Sequence, residues 1–158
     1  MATQAMFDVS TIHATEALAA HLAKLLVPPL TLTFRGNLGA GKTTLIRAML
    51  RALQITGAVK SPTFSLVESY LLQDGVSQFH HFDLYRIEEE EELEYIGFRD
   101  YFSTQTICCI EWPERALHAL RLIDIAFSFI FNEEGRFLHA SASSAAGEIL
   151  LSFLIEVA

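Results

Sequence analysis

Residues Gly36 to Thr43 read GNLGAGKT: a glycine, four residues, then Gly41, Lys42 and Thr43. Upstream, LTLTF (Leu30 to Phe34) is short, apolar and β-branched, and reads as a strand that stops at Arg35 and Gly36. Downstream, KTTLIRAMLRALQ (residues 42–54) sets Leu45, Ile46, Met49, Leu50 and Leu53 on one face of a helix. Strand, glycine-rich turn and helix in this order form the context of a phosphate-binding loop. Gly36, Gly39 and Gly41 let consecutive N–H groups turn inward around phosphate oxygens, and the helix points its positive end at the same anion. Asn37, Leu38, Ala40 and Thr44 complete the loop. Lys42 is placed to reach the β and γ phosphates, and Thr43 to offer its hydroxyl to Mg²⁺.

Such a loop binds phosphate but does not hydrolyse anything alone, because the metal needs a further carboxylate and the attacking water needs orientation. Two acids stand where strands should end: Asp83 in FHHFDLYR (79–86) and Glu111 in TICCIEWPE (106–114). Glu111 follows an apolar run with the texture of a buried parallel strand, which delivers its last residue to the edge where α/β sheets bind ligands. That makes Glu111 the better partner for the metal and Asp83 the companion that orients water. The segment KSPTF (60–64) reads as a stiff loop presenting Ser61 and Thr63, since Pro62 forces Ser61 to be extended. His80 and His81 resemble a metal pair, but neighbouring strand residues face opposite ways and no third ligand is suitably spaced, so a structural role is expected.

The remaining pattern supplies the rest of an α/β domain. Thr11 to Leu26 carries a helical apolar stripe stopped by Pro28 and Pro29. Phe64 to Leu72 and Val76 to Tyr85 flank Asp74-Gly75 as a hairpin, and Glu88 to Tyr95 predicts a short acidic helix ended by Gly97. Arg121 to Phe131 alternates at period two, with NEEG (132–135) as a turn into Arg136 to Ala142. Ala146 to Val157 fits a helix or a strand equally well by periodicity. The expectation is a single domain spanning 1–158, a three-layer P-loop NTPase-like α/β fold whose central sheet is mostly parallel, with antiparallel edge strands.

Composition agrees and excludes some functions. Hydrophobic types make up 51% of the 158 residues and charged types 19%, enough to bury a core. With 11 basic and 19 acidic residues the net charge is −8, and the cations are scattered, so direct capture of a nucleic-acid backbone is not expected. No secretory signal or bilayer-spanning run is read, and a soluble cytoplasmic protein is expected. Cys108 and Cys109 should be core thiols, since adjacent strand residues cannot easily pair. Glu88 to Glu92 reads as a solvated face or as a docking patch for a basic partner.

In combination, GNLGAGKTT, VKSPTFSLVESY, FHHFDLYR, EEELEYIGFRDYF and CCIEWPER follow the order and spacing of the bacterial TsaE (YjeE) family, a resemblance running from about Thr15 to Arg136. The resemblance implies a small ATPase that is required for N6-threonylcarbamoyladenosine in tRNA and works with TsaB and TsaD, reaching tRNA only through them. It implies that the loop from Gly36 to Thr44 binds ATP, with Thr43 and Glu111 on Mg²⁺ and Asp83 near the γ-phosphate. Thr63 resembles the family's switch-like threonine and Trp112 the tryptophan beside the acid. Thr15 and Arg136 resemble residues on the base side. Lys42, Asp83 and Glu111 would carry catalysis. The family's loop often has aspartate where Asn37 stands, which removes any carboxylate role there but leaves the backbone cradle intact.

Hydrolysis by the chain alone should be slow, because no arginine finger is evident, and partners should stimulate it. Two other readings stay open on the residues: a small-molecule kinase, disfavoured by the short chain, and a nucleotide-gated binding module in which turnover is not needed. The guanine-reading N-K-x-D pattern is absent from the sequence.

Overall fold

The computed structural model describes residues 3–55, 58–60 and 66–158. Among these, eight strands form one sheet in the order β1-β8-β7-β2-β6-β5-β4-β3. They are β1 (Gln4–Asp8), β2 (Leu30–Arg35), β3 (Ala58–Lys60), β4 (Val67–Leu71), β5 (Gln78–Asp83), β6 (Thr106–Glu111), β7 (Ile125–Asn132) and β8 (Gly135–Ala142). β2 lies parallel to both β6 and β7, and β6 parallel to β5, while β1, β8, β4 and β3 join antiparallel at the two sides. The parallel centre with antiparallel edges is the arrangement the sequence predicts. The helices are α1 (Ile12–Leu25), α2 (Lys42–Ala52), the single turn α3 (Glu92–Tyr95) and α4 (Ala145–Val157).

The pleat separates two cores. Leu30, Leu32, Phe34, Ile107 and Cys109 face α1, α2 and α4, where they pack with Leu22, Leu45, Met49 and Leu151. Cys108, Ile110 and Phe82 face the opposite side and pack with Leu93, Phe98 and Ala116 from short helical turns. The adjacent thiols thus belong to different layers and both are free and buried. Burial pushes the Cys108 thiol up to about 12, and that of Cys109 upward as well, so both stay protonated and unreactive.

Local chemistry sets the element ends. Thr11 caps α1 by accepting from the Ala14 N–H at 3.0 Å, and Ser144 caps α4 by accepting from Gly147 at 2.9 Å. α2 stops two residues earlier than its stripe predicts, with Gln54 in left-handed backbone at φ 58°. The acidic helix expected over Glu88 to Tyr95 shrinks to one turn. The Glu92 carboxylate folds back to accept from the Glu88 and Glu89 N–H groups, each at 2.9 Å, which makes a turn of residues that repel one another in a helix. Tertiary context resolves the C-terminal ambiguity in favour of α4, whose Leu150, Leu151 and Leu154 are buried in the larger core. β1, with no expectation attached to it, completes the sheet beside β8.

Candidate functional site

Parallel pairing brings the expected acids to the glycine loop. In register, Phe34 stands opposite Glu111 and Asp83 opposite Glu111, so three strand ends meet at the edge where β2 turns into the loop. The loop then climbs through Gly39 at φ 80° to Gly41 at φ 117°, which precedes α2. Gly41 has a second reason to be glycine: a Cβ there would lie 3.3 Å from Arg136 Nη1 and 3.4 Å from Phe129 Cε1.

Lys42, only 4% exposed, folds back so that its Nζ donates to the Gly36 carbonyl at 2.6 Å and the Asn37 carbonyl at 3.0 Å. The same nitrogen lies 4.3 Å from the Trp112 ring centroid. Burial holds the Lys42 ammonium below its ordinary range, opposed by the negative charges of Glu111, Asp83 and Glu114. The lysine is therefore fixed across the loop's mouth by its own backbone.

One residue on, Thr43 Oγ1 lies 2.9 Å from Glu111 Oε1 and 2.8 Å from Oε2. Glu111 is 2% exposed, and Oε2 also meets His81 Nε2 at 2.6 Å. A carboxylate accepts only, so the imidazole proton of this bond sits on Nε2. Asp83 is exposed, and its Oδ1 accepts from the Tyr85 N–H at 3.2 Å. Thr43, Glu111 and Asp83 supply hard oxygen donors beside the glycine loop. Among the described residues no cluster of three or more His, Cys, Asp or Glu could hold a metal ion unaided. That donor set fits Mg²⁺, which takes one or two protein oxygens and fills its shell with phosphate and water.

Trp112 is in left-handed backbone at φ 59°, an uncommon state for a bulky residue, directly before the 3₁₀ turn Pro113–Ala116. This turn, together with a bond from the Trp112 N–H to the Phe34 carbonyl at 3.3 Å, swings the indole over Lys42 and against Tyr85, whose ring centroid is 5.0 Å away.

Arg136 approaches from the other side of the loop. Its Nη1 borders Gly41, its guanidinium lies 4.9 Å from the Phe131 ring centroid, and its buried Nε has no hydrogen-bond partner among the described residues. Ser10 Oγ accepts from the Arg136 N–H at 3.0 Å, and the Val9 N–H donates to the Arg136 carbonyl at 3.0 Å. Thr15 belongs to the same neighbourhood, but its hydroxyl is spent on the Thr11 carbonyl at 3.1 Å and on that of Val9 at 3.5 Å. Thr63 lies outside the described residues. The two histidines divide as the pleat requires. His80 points away from the loop, with Nδ1 2.7 Å from Ser69 Oγ and burial lowering it to about 4, while His81 joins the site. The sequence pattern suggests a structural role for both histidines, and the structure corrects this for His81, whose position two residues before Asp83 on one strand puts both on one face.

Two cavities lie elsewhere. One of about 790 Å³ opens near Leu30 and Arg121 at the opposite end of β2, and one of about 580 Å³ lies beside Glu90 and His118. Neither is lined by a residue of the glycine loop.

Fold and site together define an α/β protein of the P-loop type, with a buried acid and a buried lysine converging on the loop. The family model described as "Threonylcarbamoyl adenosine biosynthesis protein TsaE" matches residues 9–137, and the chain belongs to that TsaE family. A protein of Haemophilus influenzae named "tRNA threonylcarbamoyladenosine biosynthesis protein TsaE" is 44% identical over 117 residues, 74% of this chain and 73% of that relative. One of the same name from Bacillus subtilis is 42% identical over 98 residues, 62% of this chain and 60% of the relative. The structure titled "Crystal structure of Bacillus subtilus YdiB" superposes with a TM-score of 0.80 at 27% identity, covering 99% of this chain and 97% of the other. No helix among the described residues is long and apolar enough to cross a membrane.

Proposed function

We propose that this chain binds and hydrolyses ATP in service of N6-threonylcarbamoyladenosine formation in tRNA, acting with TsaB and TsaD and meeting tRNA only through them. The observation that carries this reading is the convergence of Thr43 and Glu111, 2.8–2.9 Å apart, beside the buried Lys42. A phosphate chain laid in the loop meets backbone N–H groups, the α2 N-terminus and the Lys42 ammonium, which leaves the Gly36 and Asn37 carbonyls as it turns to the new anion. Thr43 and Glu111 would hold Mg²⁺, which neutralises developing phosphate charge when bound. Asp83, exposed at the neighbouring strand end, is positioned to orient water. Trp112 and Arg136 flank the loop on its two sides, where they confine the rest of the nucleotide, with Thr15 behind Arg136.

Arg136 borders Gly41, and among the described residues no hydrogen bond or ion pair ties an arginine side chain to Lys42, Thr43 or Glu111. Slow hydrolysis alone and stimulation by partners follow. The test is steady-state phosphate release by the purified chain, alone and with TsaB and TsaD. Weak basal turnover that rises with both partners is expected. No rise at saturating partner refutes the partnership, and no Mg²⁺-dependent ATP binding refutes the site. With a net charge of −8 and scattered cations, affinity for free tRNA should be undetectable at physiological salt.

A further inference from the structure

We propose that His81 is the positioning residue of Glu111: its Nε2–H holds Oε2 and thereby fixes which carboxylate oxygen the site offers to a divalent cation. The proposal rests on the reading of Thr43 and Glu111 as the metal-holding pair. Thr43 has one hydroxyl proton but lies almost equally far from both carboxylate oxygens, at 2.9 and 2.8 Å, so it cannot by itself choose between them. His81 breaks that symmetry. Its ring meets Oε2 alone, at 2.6 Å, which leaves Oε1 the less committed oxygen.

The clamp is rigid for identifiable reasons. His81 lies inside β5, paired on one side with Glu68 of β4 and on the other with Cys109 of β6, so its backbone is held by both neighbours. Both side chains are buried, at 5% and 3% exposure, so water competes little for the bond. A glutamate has three side-chain torsions and needs such a restraint if its carboxylate is to stay in one orientation before the metal arrives. Removing a hydrogen bond behind a metal ligand typically costs about 10–100-fold in metal affinity or activity.

Trp112, the only tryptophan, lies 4.3 Å from Lys42 Nζ and so reports on the loop by its fluorescence. Two titrations separate metal from nucleotide: ATP in the presence of EDTA, and Mg²⁺ at fixed ATP. For His81→Leu the Mg²⁺ midpoint should rise about 10-fold or more while the ATP affinity in EDTA stays within about 2-fold of the parent. His81→Gln carries its amide N–H to about the place of Nε2 and should restore the midpoint. His81→Asn ends too short and should behave like His81→Leu. If His81→Leu does not fold, the Gln and Asn pair carries the comparison, and equal midpoints for those two overturn the proposal. So does an unchanged midpoint in His81→Leu, or an equal loss of ATP affinity in EDTA, which marks general damage. A parent protein whose ATP affinity ignores Mg²⁺ overturns both this proposal and the reading beneath it. A Mg²⁺-dependent parent with variants that match it overturns the His81 assignment alone.

Discussion

Thr43→Ala removes a hydroxyl and a methyl, and, compared with Thr43→Ser, which loses the methyl alone, it tests the hydroxyl at the centre of the site. In the free protein that hydroxyl donates to Glu111, a buried acceptor. A hydrogen bond to a charged group is worth about 1.5–3 kcal/mol, and because Glu111 keeps its bond to His81 the lower end applies. A loss of about 1.5 kcal/mol lowers the melting midpoint of a chain this size by about 3–6 °C. The second effect is on ligand binding. ATP at a hundredfold its Kd adds about 2.7 kcal/mol, a rise of about 5–11 °C. In Thr43→Ala, ATP with Mg²⁺ should raise the midpoint no further than ATP with EDTA, since the part that depends on the metal is gone. Thr43→Ser keeps the oxygen and should keep both properties. The assay is thermal unfolding of the three proteins without ligand, with ATP and EDTA, and with ATP and Mg²⁺. A Thr43→Ala protein that melts with the parent and gains the full Mg²⁺-dependent rise would refute the assignment of Thr43 to the metal and to Glu111.

His80 predicts a pH dependence unconnected with the loop. Burial lowers it from 6.5 to about 4, so between those values the unfolded chain binds the proton and the folded chain does not. Stability therefore falls as pH drops from 6.5 to about 4, by up to about 3 kcal/mol, and no further below that on account of His80. Denaturant melts across that range should show a shallower fall in His80→Asn, and parallel profiles would contradict the argument. Gly147→Ala tests the seat of α4: a Cβ there would overlap the Asp124 carbonyl, which is backbone and cannot give way cheaply. The strain, about 1–3 kcal/mol, should outweigh the helix-propensity gain of about 1 kcal/mol, and a raised melting midpoint would show that the α4 seat is loose.

The loop, its flanking strand and helix, and the two acids at strand ends were legible in the sequence because each is a local signal. Glycine spacing states a backbone path, an apolar run of four before Glu111 states a strand buried on both faces, and the residue closing that run must emerge at the sheet edge. The placement of Cys108 and Cys109 in separate cores follows from the pleat alone. Local signals were weaker where solvent and core compete. Glu88 to Glu92 has helical composition, yet carboxylate capping by Glu92 makes most of it a turn. The apolar C-terminal segment becomes α4 only because its stripe of Leu150, Leu151 and Leu154 finds the face of the sheet left open beside α1.

By itself the sequence determined that a phosphate loop follows a central strand, that Glu111 ends a buried strand, and that family membership spans most of the chain. Tertiary structure decided what those residues touch. Thr43 meets Glu111 across 68 residues and His81 meets it across 30, contacts that exist only because β5, β6 and β2 are neighbours in one parallel register. Arg136 reaches Gly41 because β8 folds back along β7, and Trp112 covers Lys42 because the chain turns left-handed after β6. The division has a physical cause: backbone conformation is set by neighbours in sequence, whereas the pairing of side chains is set by strand order and register, which the whole core selects.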